Sequence, residues 1–419
     1  MIFAFLVSFF SFYHISVGGE LYISELFFAV YLFFSVNKFR LLAEPLPRKI
    51  LLLGGLWLIS QIGTDLIRDT PTENYLRGWA AIIFFLIDFC AAYIMVRQKP
   101  EVVRVLLLGS ALGAIFAVLA LPTDYSEVEP WKFGYGPPVT MLVLLYLSNG
   151  NRFKSTSGLL LLVMFGVLSV YLNARSLGGM TILTAAILFL GQKSSFQNYV
   201  KQRHSPFKLA GMATGVLIAV FSILSVYQWA AEAGYFPEKV TEKYQMSKTK
   251  DAGLLGLILG GRPEIFISSQ AVIDSPIIGH GSWAEDAKYA NMRYAAIAKL
   301  GLDVDEAYLK YSVESSDLIP THSVLMQAWV WAGLLGAVFW LFILRFLIRN
   351  TFASFFSSHT MQPLVIFIGI SSIWNLLFSP FGAHERISWA IVLVVIFFGS
   401  MMLGEKFVVR DRKVKLVAK

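Results

Sequence analysis

The chain has 419 residues, 56% of them apolar and only 15% charged, with 35 phenylalanines and a net charge of +8. Soluble domains are nearer a quarter charged, so this composition excludes an ordinary soluble domain, a disordered chain and a collagen-like one. The single cysteine, Cys90, excludes an internal disulfide framework. The positive excess requires no nucleic acid, because in a membrane chain the place of the charges matters more than their sum.

A membrane-crossing helix needs about 20 mostly apolar residues, so twelve would occupy roughly 240 positions, close to the apolar content. Apolar runs predict spans at 1–17, 21–38, 50–67, 77–96, 102–121, 136–149, 157–173, 178–192, 207–231, 322–346, 361–379 and 387–404. The runs at 136–149 and 178–192 are short, but both are needed if basic turns are to alternate between the two sides. No Lys or Arg precedes the first run and no small-x-small cleavage site follows it. It is expected to be a retained helix, and a signal peptide ending near Gly18 would leave the same topology. With the N-terminus inside, the inner segments hold 21 Lys and Arg, whereas the short outer segments hold only Arg68, Arg77, Lys132, Arg175 and Arg386. That asymmetry predicts cytoplasmic N- and C-termini.

The expected fold is therefore an all-α polytopic membrane protein of about twelve transmembrane helices. Helices one to nine would occupy 1–231, an outer loop 232–320, helices ten to twelve 321–404, and a basic cytoplasmic tail 405–419. The loop's nine basic and thirteen acidic residues are exempt from the orientation count because the segment is long. One helix is predicted to begin at Gly261-Arg262-Pro263-Glu264, with Pro at an early helical position, and to stop at Asp274-Ser275-Pro276. A second is predicted over roughly 284–300, ending at Gly301, with Tyr289, Met292 and Ala296 at helical spacing.

Charges at membrane depth are expensive, which makes each a functional candidate. Glu25 and Asp65, near outer helix ends, are expected to snorkel to the headgroups or to pair with neighbouring helices, and the deeper Asp88 to have a structural partner or to be a neutral acid. Four residues predicted on the same outer side form a more promising set: Arg175 in a tight hairpin, Arg262 at the loop helix, His322 where the chain re-enters the bilayer, and Arg386 in the last outer turn. They suit transfer of a glycan from a polyprenyl diphosphate. Guanidinium groups bind diphosphate oxygens bidentately and stabilise the charge that grows as the sugar–phosphate bond breaks. Histidine is the side chain suited to accept a hydroxyl proton near neutral pH. A diphosphate leaves readily, so no metal is required. Asp303-Val304-Asp305-Glu306 is a D-x-D run but reads as solvated surface, and no zinc or nucleotide motif is present. His280, between Gly279 and Gly281, reads as a turn residue, and His204 as solvated.

These segments resemble the O-antigen ligase and O-antigen polymerase superfamily of bacterial membrane glycosyltransferases. Gly261-Arg262-Pro263-Glu264, followed by Pro276-Ile277-Ile278-Gly279-His280-Gly281, is similar to the family's Gly-Arg helix and Pro-(apolar)₂-Gly-x-Gly turn. His322-Ser323, leading to Gly333-Leu334-Leu335-Gly336, is similar to its His-Asn segment and Gly-rich helix. Asn173-Ala174-Arg175-Ser176 resembles its Ser-Arg hairpin, and Phe133-Gly134-Tyr135-Gly136-Pro137-Pro138 its Gly-and-Pro turn. The likeness runs in order from about 130 to 390, whereas the first 130 residues match only in hydropathy.

The resemblance implies a GT-C-type bundle in the bacterial inner membrane with a large periplasmic loop. It implies metal-independent, inverting transfer of a glycan from undecaprenyl diphosphate with no cofactor. The acceptor would be lipid A–core for a ligase, the first expectation, or a growing O-antigen or exopolysaccharide chain for a polymerase. Arg175 and Arg262 would hold the diphosphate, with Arg386 as a further member, and His322 would activate the acceptor. Ser323 stands where the family usually has Asn, and Trp331 where many members have Glu. A lipid-linked glycan flippase, the more distant alternative, would place charges along a path open to both sides.

Overall fold

A computed structural model describes residues 1–16, 18–193, 225–237, 264–292, 317–355 and 359–417, with isolated positions 215, 222, 241 and 244. From 402 onward only the backbone path is described. Among the described residues the chain is all-α apart from one two-stranded hairpin, β1 (His14–Ser16) and β2 (Glu20–Tyr22). Ahead of it lies α1 (Ile2–Phe9), and behind it α2 (Ile23–Phe33), α3 (Pro45–Ile67), α4 (Thr72–Gln98) and α5 (Val102–Ala120). A short α6 (Asp124–Val128) leads to α7 (Gly136–Ser148), α8 (Thr156–Tyr171) and α9 (Arg175–Gly191). The loop contributes α10 (Glu264–Asp274), and the chain closes with α11 (Val324–Ala332), α12 (Leu334–Ser354), α13 (Gln362–Phe378) and α14 (Glu385–Val417).

Among the described residues, helices α3, α4, α5 and α12 are long and apolar enough to cross a membrane. Helix α2 and the 3₁₀ segment Val36–Ala43, bent by 96° relative to each other, make a fifth if they count as one crossing. The protein is thus an all-α membrane protein. The helix starts follow local chemistry: Pro45 opens α3, the Ser155 hydroxyl accepts from the Gly158 N–H to cap α8, and Ser323 caps α11. Asn151 and Asn173, at φ +59° and +62°, turn the chain between α7 and α8 and between α8 and α9.

Three expected spans differ from the structure. The helix expected over 1–17 stops at Phe9 and gives way, through a 3₁₀ turn, to the hairpin strand at His14. The run expected over 21–38 bends after Phe33. The span expected over 322–346 is broken at Gly333, whose φ +67° and ψ −154° suit glycine almost alone. The cause is tertiary, because the Ile277 carbonyl occupies the place where a Cβ at position 333 would lie. The run at 207–231 falls mostly outside the described residues.

Packing is closest where small residues remove the side-chain layer. Gly109 and Gly113, one turn apart on α5, receive α1 so closely that a Cβ on Gly113 would lie 2.1 Å from the Phe9 carbonyl oxygen. We expect Gly113→Ala to cost about 1–3 kcal/mol by forcing α1 away, whereas Gly55→Ala, with nothing within 4 Å of its Cβ, should be neutral or slightly stabilising. Thermal unfolding of both variants in detergent tests this contrast. The centre of the bundle is an aromatic cluster of Trp57, Phe85, Phe339, Trp340, Phe381 and Trp389, which ties α3, α4, α12, the turn after α13 and α14 together.

Candidate functional site

One face of α3 carries Gln61, Thr64, Asp65 and Arg68, spaced i, i+3, i+4 and i+7, and this face binds the loop segment that follows α10. Asp65 is buried in a helix otherwise suited to lipid, so its charge needs donors. Its Oδ1 accepts from the Ser282 N–H at 2.6 Å. Its Oδ2 accepts from the Ser282 hydroxyl and the Trp79 indole, both at 2.8 Å, and from Gln61 Nε2 at 3.3 Å. Thr64 donates to the Ile278 carbonyl, and Arg68 donates to the Gly279 carbonyl at 3.0 Å and the Ser275 hydroxyl at 2.8 Å.

The other side of the same turn is fastened to the end of α11. The His280 and Gly281 N–H groups donate to the Val330 and Trp331 carbonyls at 2.7 and 3.1 Å, and Trp329 Nε1 donates to the Pro276 carbonyl at 2.9 Å. Ser60 of α3 reaches the Ala332 carbonyl at 2.7 Å, completing a three-way junction of α3, the turn and α11. The Pro-(apolar)₂-Gly-x-Gly pattern has a physical reason here. Gly279 and Gly281 stand at φ +89° and +98°, and a Cβ on Gly279 would lie 2.6 Å from the Gly333 nitrogen. His280 is a turn residue whose Nε2 is 2.8 Å from the Ala271 carbonyl oxygen.

Helix α10 lies over this junction. Its Ile267, Ala271 and Val272 form a small core with Tyr289, Ile319 and Val330, so the loop helix packs on the segments either side of His322. The C-terminal end of α10 is held by Asp274, which accepts from Lys288 Nζ at 2.5 Å, the Tyr289 hydroxyl at 2.6 Å and Gln270 Nε2 at 2.8 Å. The bond from Lys288, then those from Tyr289 and Gln270, hold the Asp274 carboxyl well below the usual carboxylate range. A depressed folded-state value means that this support is fully present above the unfolded carboxylate pKa of about 3.9 and is lost only as pH falls below it. The protection of 287–292 against hydrogen exchange, taken relative to the intrinsic rate at each pH, should therefore stay constant from neutral pH to about 4 and fall below that, whereas Asp274→Asn should lower it throughout.

The predicted site residues have different fates. His322 is exposed on the irregular segment entering α11. Next to it, Ser323 uses its hydroxyl twice, accepting from the Met326 N–H at 3.3 Å and donating to the Leu376 carbonyl at 2.9 Å. It therefore serves as a helix cap and a link to α13 where an Asn is usual in the resembled family. Trp331 packs on Trp283 with ring centroids 5.1 Å apart, while its carbonyl holds the turn. Arg175, half-buried at the start of α9, directs its guanidinium to Tyr227, with NH1 3.3 Å from the hydroxyl. Asn173 in the same hairpin donates to Glu129.

Arg386 has another partner than the one expected. It is 3% exposed, forms an ion pair with Glu25 at 2.7 Å and donates to the Glu20 carbonyl at 2.6 Å, fixing the N-terminal hairpin to α14. Arg262 lies outside the described residues, as do Asp303, Asp305 and Glu306. A small cavity beneath the junction, lined by Trp57, Gln61, Gln327, Trp331, Trp340 and Phe381, has about 10 Å³ of free space, enough for one water but not for a sugar ring.

The polar face of α3 is the feature that sequence reading missed as a set. Asp65 is expected from the sequence to snorkel or to pair with a neighbouring helix, but the helical spacing of Gln61, Thr64, Asp65 and Arg68 in an apolar run is the signal for a docking face. Compared with known proteins, the chain matches no family model, and no curated protein matches it significantly.

Proposed function

We propose that this protein transfers a glycan from undecaprenyl diphosphate to an acceptor hydroxyl at the outer face of the bacterial inner membrane. The observation that supports this best is the junction of α3, the 275–283 turn and α11. It holds the loop helix, which Arg262 precedes by two residues in the chain, against the segments flanking His322. On this reading His322 takes the proton of the acceptor hydroxyl as its oxygen attacks the anomeric carbon. The bond from that carbon to the phosphate oxygen breaks with inversion, and Arg175 and Arg262 stabilise the departing diphosphate. Arg386, committed to Glu25, acts in the scaffold. The full set of about twelve spans, with both termini cytoplasmic and the 232–320 loop periplasmic, belongs to the same proposal and follows from the placement of Lys and Arg.

Ligation to lipid A–core is the first form of the proposal, and repeat-unit polymerisation the second. A deletion strain separates them on a lipopolysaccharide gel. Core without any cap supports ligation, core with a single repeat supports polymerisation, and normal lipopolysaccharide with lost exopolysaccharide supports a secreted-polymer polymerase. We expect His322→Ala and Arg262→Ala each to reduce transfer at least 100-fold while the protein remains inserted, in line with the loss of a general base or an anion-stabilising donor. Transfer at the native rate by both would overturn the proposed site.

A further inference from the structure

Helix α12 has 21 residues. At 1.5 Å per residue that is about 31 Å, the hydrocarbon thickness of a bilayer, with no contribution from α11. The break at Gly333 therefore falls at a membrane edge. Helix α3, with 23 residues, crosses on the same argument and ends at Ile67. The turn after α10 is bonded to both of these helix ends. The Leu334 N–H donates to the Ile277 carbonyl at 3.1 Å, and Thr64 and Arg68 donate to the Ile278 and Gly279 carbonyls. Two crossings thus place the turn independently at the level where acyl chains give way to headgroups.

The outward side chains at this level are apolar. Ile273, at the end of α10, is 68% exposed, Ile277 in the turn is 70% exposed, and Ile278 is exposed beside it. Phe266, also exposed, lies two turns before Ile273 on the same face of α10. The other face of that helix is already committed, with Ile267 and Ala271 in the small core. At the same edge the crossings themselves expose Leu66 and Ile67 on α3 and Leu334 and Leu335 on α12. The exposed turn is therefore continuous with the surface that two crossings present to lipid, and an apolar patch of this kind marks a contact. We propose that α10 and the 276–278 turn lie in the leaflet on that side, with Phe266, Ile273, Ile277 and Ile278 among the phospholipid acyl chains. The loop segment is then an interfacial shelf rather than a lid in water. Asp274, next to Ile273, is paired with Lys288, which suits both to the headgroup layer. This inference is independent of glycan transfer.

Spin labelling of the full-length protein in nanodiscs of phosphatidylethanolamine and phosphatidylglycerol tests it. Labels are placed at Ile273→Cys and Ile277→Cys, with Leu52→Cys on α3 as the lipid reference and Ala287→Cys, between Asp286 and Lys288, as the aqueous one. All four positions are exposed, so the substitutions leave the packing intact, and the native Cys90 is buried away from the label. The ratio of oxygen to nickel-complex collision rates at both loop sites should be several-fold higher than at Ala287→Cys and approach that at Leu52→Cys. The discs contain no polyprenyl lipid, so a carrier chain cannot account for that result. A ratio matching Ala287→Cys would show that the face meets water and would overturn the proposal. Labels shielded from both reagents, with dipolar coupling between protein copies, would assign the face to a second copy and overturn it equally.

Discussion

Asp65→Ala should release the 275–283 turn from α3 and lower the stability of that junction by about 3–5 kcal/mol, since it removes the charged acceptor of several hydrogen bonds and strands their donors. The Ser282 N–H, the Ser282 hydroxyl, the Trp79 indole and Gln61 all lose their shared partner. Ser282→Ala removes only the hydroxyl and leaves the backbone bond, so it should cost about 1–2 kcal/mol. The two changes should be strongly non-additive, because they act on one network. Limited proteolysis within 264–292 measures the release directly. If glycan transfer is the function, Asp65→Ala should also slow it without changing insertion, because α10 would no longer be held over the His322 segment. Unaltered protease resistance in Asp65→Ala would show that the junction is held by other contacts.

Arg386→Ala should be comparably severe, at about 3–5 kcal/mol, because it leaves the Glu25 carboxyl buried without its partner. Replacing both Glu25 and Arg386 by leucine should recover most of that loss, since apolar pairs of similar volume often substitute for buried ion pairs without a stability cost. Thermal unfolding in detergent distinguishes these cases. A role for Arg386 in holding diphosphate would give the opposite pattern, with stability kept in Arg386→Ala and transfer lost. The geometry favours the first outcome, because the guanidinium is already occupied by a carboxylate and a carbonyl.

Much of the helical layout was legible before any coordinates. The ends of α4, α5, α7, α8 and α13 lie within a few residues of the apolar runs that predicted them. For α4 and α5, which are long enough to cross, lipid solvation is the reason: every backbone group in a crossing must be satisfied within its own helix, which makes a long apolar run a strong signal. The breaks were not legible. Gly333 lies inside an apolar run with no proline, and only the arrival of the Ile277 carbonyl from a loop some fifty residues earlier explains why α11 and α12 separate there. The hairpin at 14–22 has the same character, because its sheet bonds join residues that apolar periodicity assigns to helices on either side.

The candidate site divides along the same line. Residue type alone marked Arg175, Arg262, His322 and Arg386 as chemically capable, and charge placement alone supplied a topology that puts them on one side of a membrane. Composition by itself determined that this chain belongs in a bilayer, since so few charges on so many apolar residues cannot cover a soluble surface. What only the tertiary structure decided is which of those charges are already committed. Arg386 is tied to Glu25 and Asp65 to Ser282, each across more than two hundred residues of chain. A charge buried in an apolar interior must find its partner wherever the fold brings one, and that choice is written in packing rather than in local spacing.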